Sequence, residues 1–181
     1  MKIDSQWTLF LDRDGVINEL RVGEYIHEFE KFIVREDFWN AAPQFFPLFK
    51  YRIVITNQQG VTKGLCTMEQ VDAVHEYMQS LLAVRNLKLD AIYCCPHLEG
   101  AGCGCRKPDV GMALMAKRDF PDIDFGKSLM IGDSFSDMKF GRNCGMKTAM
   151  LTNGKSISPE ETQFVDFQLE SLTDLLTIIE R

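Results

Sequence analysis

Five short apolar runs, each followed by a polar turn and a helical pattern, constrain the fold more than any other feature of this 181-residue chain. The runs are nearly continuous in hydrophobicity, which is typical of parallel strands covered on both faces. Strands that alternate with helices predict an α/β fold with a Rossmann-like open parallel sheet and helices on both faces. The runs are WTLFL (7–11), RIVIT (52–56), AIYC (91–94), SLMI (128–131) and TAML (148–151).

The helices between these runs are marked less evenly than the strands. Thr67 and Gln70 have the spacing of a capping box, which predicts a helix that continues to about Arg85. Ser171 is expected to cap a C-terminal helix over LTDLLTIIE, whereas prolines leave the extent of a helix near 38–50 open. Since no repeat or linker interrupts the pattern, we expect residues 1–181 to form a single domain.

Charge and hydropathy exclude several classes of protein. The net charge is −6, which argues against a nucleic-acid binder because such a protein needs a basic surface. No apolar run approaches the roughly 18 residues that span a bilayer, and the first residues have no secretory pattern. We therefore expect a cytoplasmic protein without membrane partners, and a monomer.

Polar segments follow four of the predicted strands. Ligands of open α/β sheets bind beyond the carboxyl ends of the strands, so these segments are expected to meet at one edge of the sheet. They are DRDGVIN after the first strand, NQQGVTKG after the second, the cysteine-rich stretch after the third, and GDSFSDM after the fourth.

Carboxylates are concentrated in two of these segments. Asp12 and Asp14 follow the first strand, and Asp133 and Asp137 follow the fourth. Grouped carboxylates repel one another unless a cation is present, and hard oxygen ligands suit Mg²⁺. Asp-Gly pairs also mark simple turns, but carboxylates at two strand ends together with Lys107 favour a catalytic site. Asp137 is expected either to orient the site or to act as the first-turn acid of the next helix.

The stretch from 94 to 112 contains four of the six cysteines and one histidine. Cys95, His97, Cys103 and Cys105 supply three sulfurs and one imidazole, a set that suits tetrahedral Zn²⁺ in a closed structural site. Buried free cysteines are the alternative, disfavoured because the intervening LEGAG is not typical of a core. Cys94 competes with Cys95, and we expect it to end the strand and pack. Zinc would then fix the point where the chain leaves this loop, which is at the cations Arg106 and Lys107.

Four ordered segments resemble the motifs of haloacid dehalogenase (HAD) superfamily phosphatases: FLDRDGVIN, VITNQQGV, CRKPDVGM and MIGDSFSDM. The resemblance implies that Asp12 is the nucleophile and Asp14 the general acid and then base. It also implies that Thr56 donates a hydrogen bond to the phosphoryl group and that Lys107 neutralises its charge. Mg²⁺ would be held by Asp12, Asp133 and the main-chain carbonyl of Asp14.

Within the superfamily, a zinc loop of this kind resembles that of the heptose bisphosphate phosphatases and that of the histidinol-phosphate phosphatases. The flanks GEYIHEFEKF, TNQQGVTKGLCT and TNGKSISPEE favour the first group. Two features depart from it: the spacer between His97 and Cys103 is short, and Ser134 stands where these enzymes commonly have a basic residue. The first resemblance implies that Arg106 recognises substrate, that the loop around 19–30 partly closes the site, and that no large cap domain is present. It also implies a substrate-binding segment after the second strand, formed by Asn57, Gln58 and Gln59.

The expected function is therefore Mg²⁺-dependent hydrolysis of the 7-phosphate of a heptose 1,7-bisphosphate through an aspartyl-phosphate. A small phosphorylated sugar is the expected partner. Two alternatives stay open at this point, namely a histidinol-phosphate phosphatase and a zinc-bearing binding protein that has lost catalysis. Intact motif residues argue against the second alternative.

Overall fold

The computed structural model of the protein describes residues 1–21 and 23–180. Its centre is a six-stranded sheet with the order β3-β2-β1-β4-β5-β6, in which every neighbouring pair is parallel. The strands are β1 (Thr8–Leu11), β2 (Tyr51–Asn57), β3 (Ala91–Cys95), β4 (Ser128–Gly132), β5 (Lys147–Leu151) and β6 (Phe167–Leu169).

Six α-helices and four short 3-10 helices connect the strands in the described residues. The α-helices are α1 (Glu36–Phe45), α2 (Met68–Ala83), α3 (Gly111–Asp119), α4 (Phe135–Cys144), α5 (Pro159–Thr162) and α6 (Leu175–Ile178); the 3-10 helices are Phe29–Lys31, Phe46–Leu48, Phe125–Lys127 and Leu172–Asp174. Within these described ranges, none of the helices has the length and apolar character that a transmembrane segment needs.

Side chains of the central strand β1 alternate between two apolar cores. Leu9 and Leu11 join the core that contains residues of α1, α2 and α6, whereas Phe10 joins the core that contains residues of α3 and α4. All three side chains are fully buried. The sheet is therefore covered by helices on both faces, as the continuous apolar runs predict.

The strand order places a switch point between β1 and β4. The chain moves outward from β1 to β2 and β3, and then returns to the other side of β1. Such a reversal opens a crevice at the carboxyl ends of the strands, which is where ligands of this fold class bind.

All five predicted strands are confirmed, and the predicted C-terminal helix needs correction. A sixth strand, β6, has only three residues and gives too short a pattern to recognise from sequence. The C-terminal helix is a 3-10 turn followed by the four-residue α6, with Ser171 accepting a hydrogen bond from the backbone of Thr173. Helix α1, whose extent the sequence leaves open, contains Pro43 and ends at Phe45, two residues before Pro47, which lacks the N–H needed to continue the helical hydrogen bonds.

Candidate active site

Lys107 lies at the centre of the polar edge of the sheet. Its ammonium nitrogen is 2.8 Å from Oδ1 of Asp12, 2.5 Å from Oδ1 of Asp137 and 2.8 Å from the carbonyl oxygen of Ile55. These residues come from the ends of β1 and β2, from the segment after β3 and from the start of α4. The four polar segments therefore meet at one place, as the sequence predicts.

Three carboxylates form a compact group beside Lys107. One ligand oxygen from each of Asp12, Asp133 and Asp137 lies within 4.8 Å of the others, and all three residues are buried. Burial, opposed by Lys107 and reinforced by the neighbouring carboxylates, raises the pKa of Asp12 to about 8. Burial and the charge of Asp137 raise the pKa of Asp133 to about 6.

This arrangement fits a divalent cation with a preference for oxygen ligands. Fully ionised, the three carboxylates carry −3 and Lys107 carries +1, so the group has a net charge of −2. The pKa values of Asp12 and Asp133 are raised because both carboxylates are buried and lie close to other negative charges. A bound Mg²⁺ would balance it, and carboxylate oxygens are its usual protein ligands.

The ammonium of Lys107 is held in its charged form. Burial opposes that form, but the carboxylates of Asp12 and Asp137 outweigh burial and raise the pKa of Lys107 above its usual range. Backbone atoms fix the position of Lys107 as well. Its N–H donates to Oδ1 of Asn57 at 3.1 Å, and its carbonyl accepts from Nδ2 of the same side chain at 3.3 Å.

The role predicted for Asn57 is thereby refined. Both polar atoms of its side chain are engaged with the main chain of Lys107, across the gap between β2 and the cysteine-rich loop. An amide with these two partners holds a backbone segment in register. Asn57 therefore holds the backbone of Lys107, and its second N–H and the remaining lone pair of Oδ1 are left for other partners.

Asp14 is not part of the group of three carboxylates and lies in a separate hydrogen-bond network. It accepts from Nη2 of Arg13 at 2.9 and 3.0 Å, from Nδ2 of Asn18 at 3.0 Å and from Nε2 of Gln58 at 2.7 Å. Burial opposes ionisation, yet Arg13 and these donors hold the pKa of Asp14 below its usual value. The Nε2 atom of Gln58 also donates to Oγ1 of Thr56 at 2.9 Å, so Gln58, just after β2, links Thr56 to Asp14.

Sequence reasoning missed Arg13. Its side chain is fully buried, and besides Asp14 it contacts Nε2 of His75 at 3.2 Å and the carbonyl oxygen of Ile26 at 3.4 Å. His75 is likewise buried next to the site. The position of Arg13 between Asp12 and Asp14 indicates a cation near the site that needs polar partners. The sequence does not show that one of these partners, His75, lies on α2.

Gly15 and Asp133 show how closely the first loop passes the carboxylates. Gly15 has a φ of +86°, and a Cβ atom built there would lie 2.2 Å from Oδ2 of Asp133. A side chain at this position would displace a carboxylate of the group. The glycine after Asp14 is thus required both for the turn and for the approach of β1 to β4.

Two pockets flank Lys107 and Asp14. One of about 150 Å³ is lined by Asp14, Asn57, Gln58 and the segment 20–21 and 24–26. The other, of about 420 Å³, is lined by the cysteine-rich loop together with Arg106, Lys107 and Ser136. Residues 20–21 and 24–26 of the loop around 19–30 therefore line one side of the smaller pocket.

Gln59 and Arg106 contact the loops that frame these pockets. Nε2 of Gln59 donates to the hydroxyl of Tyr25 at 3.1 Å, and Nζ of Lys63 donates to the same oxygen at 2.8 Å. Nη1 of Arg106 donates to the carbonyl oxygen of His97 at 3.2 Å. The guanidinium thus borders both the cysteine-rich loop and the larger pocket.

Cys95, His97, Cys103 and Cys105 form a second group of potential metal ligands. Their facing sulfur and Nδ1 atoms lie 2.9 to 3.7 Å apart. In a tetrahedral zinc site the ligand atoms lie roughly 3.5 to 3.8 Å apart, because Zn–S and Zn–N bonds are about 2.3 and 2.0 Å. The four residues therefore fit a closed zinc site, and Cys94 lies outside the group.

The thiols in this group respond in opposite directions to their surroundings. The backbone N–H of Arg106 is the largest influence that lowers the pKa of Cys103 to about 6. Burial, followed by hydrogen bonds to Cys95 and Cys103, raises the pKa of Cys105 to about 12. Three adjoining sulfurs cannot all carry charge without a cation, so the donor set is the one that a soft metal ion completes.

Gly111 ties the end of the cysteine-rich loop to α3. Its N–H donates to the carbonyl oxygen of Gly104 at 2.9 Å, and a Cβ at position 111 would lie 2.3 Å from that oxygen. The first residue of α3 is therefore packed directly against the backbone between Cys103 and Cys105. This contact and the four ligand residues hold the loop at both ends.

Asp137 has contacts that suit both of the roles that the sequence leaves open. It lies in the first turn of α4, where Oδ2 accepts from the backbone N–H of Ser134 at 3.1 Å and from its hydroxyl at 2.5 Å. Its other oxygen contacts Lys107. Ser134 is thus engaged with the start of α4.

The remaining cysteines and His27 have local contacts. Cys66 is buried, Cys94 and Cys144 are half-buried, and burial raises the pKa of the last two thiols to about 12. Nδ1 of His27 is 2.7 Å from the carbonyl oxygen of Tyr25, within the segment that walls the smaller pocket.

Comparisons with known proteins agree with this geometry. A family profile described as HAD-hydrolase-like matches residues 104–175. The D-glycero-beta-D-manno-heptose-1,7-bisphosphate 7-phosphatase of Escherichia coli K12 is 37% identical over 182 residues, which cover 96% of this chain and 93% of that protein. The D-glycero-alpha-D-manno-heptose-1,7-bisphosphate 7-phosphatase of Mycobacterium bovis is 40% identical over 119 residues, which cover 66% of this chain and 63% of that protein.

A solved structure has the same fold. The D,D-heptose 1,7-bisphosphate phosphatase from B. bronchiseptica, complexed with magnesium and phosphate, superimposes with a TM-score of 0.81 at 26% identity. The match covers 96% of this chain and 99% of that one. With a relative 37% identical over nearly its whole length and this likeness in fold, the chain belongs to the HAD-like hydrolases, in the family of the heptose-1,7-bisphosphate 7-phosphatases.

Proposed function

We propose that this protein is a Mg²⁺-dependent phosphatase that hydrolyses the 7-phosphate of D-glycero-D-manno-heptose 1,7-bisphosphate. One observation carries the chemistry: the carboxylate of Asp12 stands at the end of β1, 2.8 Å from the ammonium of Lys107, with Asp14 held separately on the same loop. The substrate is inferred from the relatives, which are named for heptose bisphosphate. A soluble phosphorylated sugar suits the crevice between the two pockets.

In the proposed reaction, an oxygen of Asp12 attacks phosphorus and forms an aspartyl-phosphate while the bond to the sugar oxygen breaks. Asp14 gives a proton to the departing oxygen and then takes one from the water that hydrolyses the intermediate. Arg13 favours the ionised form of Asp14, whereas a phosphoryl dianion bound nearby would favour the protonated form. Substrate binding therefore supplies the condition in which Asp14 can act as an acid.

Thr56 and Lys107 are proposed to bind the phosphoryl oxygens. Phosphoryl transfer depends on positioning and on charge neutralisation more than on covalent chemistry by the protein. Thr56 is almost fully buried beside Gln58, and Lys107 carries its charge at the same edge of the sheet. Gln58 is proposed to hold both Thr56 and Asp14 in place.

Mg²⁺ is proposed to be held by Asp12, Asp133 and the main-chain carbonyl of Asp14. When bound, it would neutralise charge on the phosphoryl group and on the attacking carboxylate. Asp137 has an oxygen within the same 4.8 Å group, and its contact with Lys107 suits a role in orienting that lysine. The Mg²⁺ in the B. bronchiseptica structure supports this assignment at the level of the cofactor.

Zn²⁺ is proposed at Cys95, His97, Cys103 and Cys105, where it would be structural. The closed set of three sulfurs and one imidazole supports this proposal. Its consequence for catalysis lies in the next two residues, Arg106 and Lys107. Zinc would fix the point from which Lys107 reaches the phosphoryl group.

The larger pocket and the segment Asn57 to Gln59 are proposed to contact the rest of the substrate. Arg106 borders that pocket and provides a cation for a second phosphate. We further propose that residues 1–181 act as a single domain and as a cytoplasmic monomer.

Phosphate release from a substrate panel tests the function. The panel contains both anomers of heptose 1,7-bisphosphate, histidinol phosphate and a 3′-phosphorylated oligonucleotide, each with wild-type protein and with the Asp12→Asn variant. We expect kcat/KM for a heptose bisphosphate to exceed the others by at least about 100-fold, or about 2.7 kcal/mol. Phosphorus NMR should show that the anomeric phosphate remains. A preference for histidinol phosphate, or loss of the anomeric phosphate first, would contradict the proposal.

A further inference from the structure

The carboxylate of Asp133 has a neighbour that the proposed mechanism does not use. Nδ2 of Asn153 lies 3.4 Å from Oδ2 of Asp133 and 3.3 Å from the carbonyl oxygen of Gly15. On its other side, Oδ1 of Asn153 accepts from Nη1 of Arg35 at 2.9 Å. A continuous set of contacts thus runs from Arg35, at the start of α1, through Asn153 to Asp133, which is one of the three grouped carboxylates.

We propose that Arg35 and Asn153 are positioning residues that orient Asp133 and thereby strengthen cation binding. This inference rests on the proposed cation site but not on the identity of the substrate. A guanidinium can only donate, so Arg35 requires the oxygen of Asn153 and turns its NH₂ group toward Asp133 and Gly15.

Arg35 is itself fixed at both ends. Its Nε and Nη2 atoms donate to the two oxygens of Asp37 at 2.8 and 3.0 Å, a bidentate pair that sets the plane of the guanidinium. Its backbone N–H donates to the carbonyl oxygen of Ile17 at 3.0 Å. Oδ2 of Asp37 also accepts from the backbone N–H of Leu172 at 3.1 Å. The direction in which Nη1 points at Asn153 is therefore set by several elements.

Asn153 is fixed by its backbone. Its φ is +50°, a left-handed conformation that asparagine tolerates better than most residues. The side chain consequently leaves the loop after β5 in one direction, toward the carbonyl of Gly15. Gly15 in turn lies so close to Asp133 that no side chain fits between them.

These contacts involve one oxygen of Asp133, and its other oxygen accepts no hydrogen bond from the part of the chain that the structure describes. Its Oδ2 atom faces Asn153 and the Gly15 backbone, so Oδ1 is available to a cation. Both contacts of the Asn153 amide are long for hydrogen bonds, and their effect is on orientation more than on strength. Without them, repulsion from Asp137 would turn the carboxylate away from the shared site. Loss of a partner that orients a metal ligand typically costs about 10- to 100-fold in metal affinity.

Manganese binding without substrate tests this inference. Free Mn²⁺ is followed by electron paramagnetic resonance, and Mg²⁺ is added as competitor. Asn153→Gly removes the amide but keeps a residue that accepts positive φ, and Arg35→Met removes the fixed donor. We expect each to weaken Mn²⁺ and Mg²⁺ binding about 10-fold. The double variant should be little weaker than either single one, because both act through one set of contacts.

Two matched controls separate positioning from stability. Asn86 has a φ of +57°, so Asn86→Gly repeats the backbone change at another site. Arg52 forms an ion pair with Asp90 at 2.6 Å, and its side chain is 18% exposed against 20% for Arg35, so Arg52→Met repeats the loss of a half-buried ion pair. Both controls should bind Mn²⁺ within about twofold of wild type. Unfolding curves in urea report whether each variant is folded.

The outcomes distinguish this inference from the proposed function. If Asn153→Gly binds Mn²⁺ and Mg²⁺ within twofold of wild type, or if the controls lose as much affinity, the inference is overturned. Wild-type protein that binds no Mn²⁺ would overturn it too. Cation binding that depends on Asn153 in a protein without heptose bisphosphate activity would support the inference and contradict the proposed substrate. Where the wild type is active, we expect kcat of Asn153→Gly and of Arg35→Met at saturating Mg²⁺ to stay within about threefold of the wild-type value.

Discussion

Arg13 has no exposed surface, and its guanidinium depends on Asp14, His75 and the carbonyl of Ile26 for partners. Burying this cation requires each of its donors to be engaged, since an unpaired buried charge is strongly unfavourable. His75 can accept from Arg13 only in its neutral form. Burial first, and then the charge of Arg13, lowers the pKa of His75 to about 4.

Because the pKa of His75 is lowered in the folded protein, we expect the free energy of unfolding to fall as pH is lowered below 6.5. Between about pH 6.5 and 4 the unfolded chain binds a proton at His75 that the folded chain does not, so unfolding becomes easier as pH falls. Lowering pH from 7 to 5.5 should cost about 1 kcal/mol at this residue. We expect His75→Gln, which keeps an acceptor for Arg13 but cannot titrate, to lose about that much less than wild type. The measurement is urea unfolding of both proteins at the two pH values, with Mg²⁺ absent.

A companion variant tests the need for an acceptor. His75→Ala leaves a donor of Arg13 unpaired and should lower the free energy of unfolding at pH 7 by about 1–3 kcal/mol. Equal pH dependence in wild type and His75→Gln would show that His75 is not held neutral.

Asp12→Asn is expected to abolish turnover without unfolding the protein. An amide cannot form an acyl-phosphate, so kcat should fall on the order of 1,000-fold or more. Exposed Asp122 provides the control, because Asp122→Asn changes the same charge far from the carboxylates and should leave kcat unchanged. Asp12→Asn activity within tenfold of wild type would remove Asp12 from the nucleophile role.

The cysteine-rich loop is the element on which the position of Lys107 depends. Only one residue separates Cys105 from Lys107, so at most about 7 Å of chain joins the last proposed zinc ligand to the ammonium-bearing residue. Asn57 and Gly111 hold the same segment from β2 and α3. The loop is therefore constrained on three sides, and a zinc ion would provide the constraint nearest to its tip.

Cys103→Ser is expected to lose zinc and most of the activity. Elemental analysis should find one zinc per wild-type chain and almost none in the variant. Because a displacement of about 1 Å can cost roughly 100-fold in rate, kcat should fall by one to two orders of magnitude while Asp12 and Asp14 are intact. The melting temperature should fall too, since binding energy at a closed site is partly folding energy.

Cys94→Ser is the control for that experiment. Cys94 is the neighbour of a proposed ligand but lies outside the ligand group, so its variant should retain zinc. A Cys103→Ser protein with wild-type kcat and melting temperature would show that the loop does not need metal to position Lys107.

Strands and helices can be predicted from the sequence only when they are long enough to show a hydrophobic pattern or a capping motif. Strands such as β4, with five buried residues in a row, are recognisable because both faces of the sheet are covered. The three residues of β6 and the two short turns near the C-terminus are too brief for a period to appear. Helix α2 was recognisable from its capping box, which the structure confirms.

The same limit applies to the site. Motif residues such as Asp12 and Lys107 lie directly after strands or in the loops that follow them. Parallel topology alone therefore brings them to the same edge of the sheet. Arg35 and Asn153 are 118 residues apart; Arg35 lies in none of the quoted segments, and Asn153 lies in a flanking segment rather than in one of the four motifs. Their contact depends on how α1 packs near the loop after β5, which no local pattern in the sequence specifies.

At the scale of the whole molecule, the net charge of −6 and the −2 of the carboxylate group act in the same direction. An acidic protein that also concentrates carboxylates at its ligand crevice repels a phosphorylated substrate until a cation is bound. Lys107 and Arg106 offset this only locally. Cation binding should therefore affect both the stability of the fold and its capacity to accept the substrate.

Mg²⁺ should thus raise the melting temperature in the absence of substrate. Binding to the folded state alone adds about 2.7 kcal/mol at 100 times the dissociation constant, which corresponds to roughly 5–10 °C for a chain of this size. Mg²⁺ is best removed by gel filtration, because a strong chelator would also extract zinc. Asp133→Asn should reduce the shift, and KCl at equal ionic strength should not reproduce it. Ca²⁺ should stabilise the protein yet support little turnover, because its looser coordination disturbs in-line geometry. A melting temperature that Mg²⁺ leaves unchanged up to 10 mM, about ten times a millimolar dissociation constant, would contradict a cation site at these carboxylates.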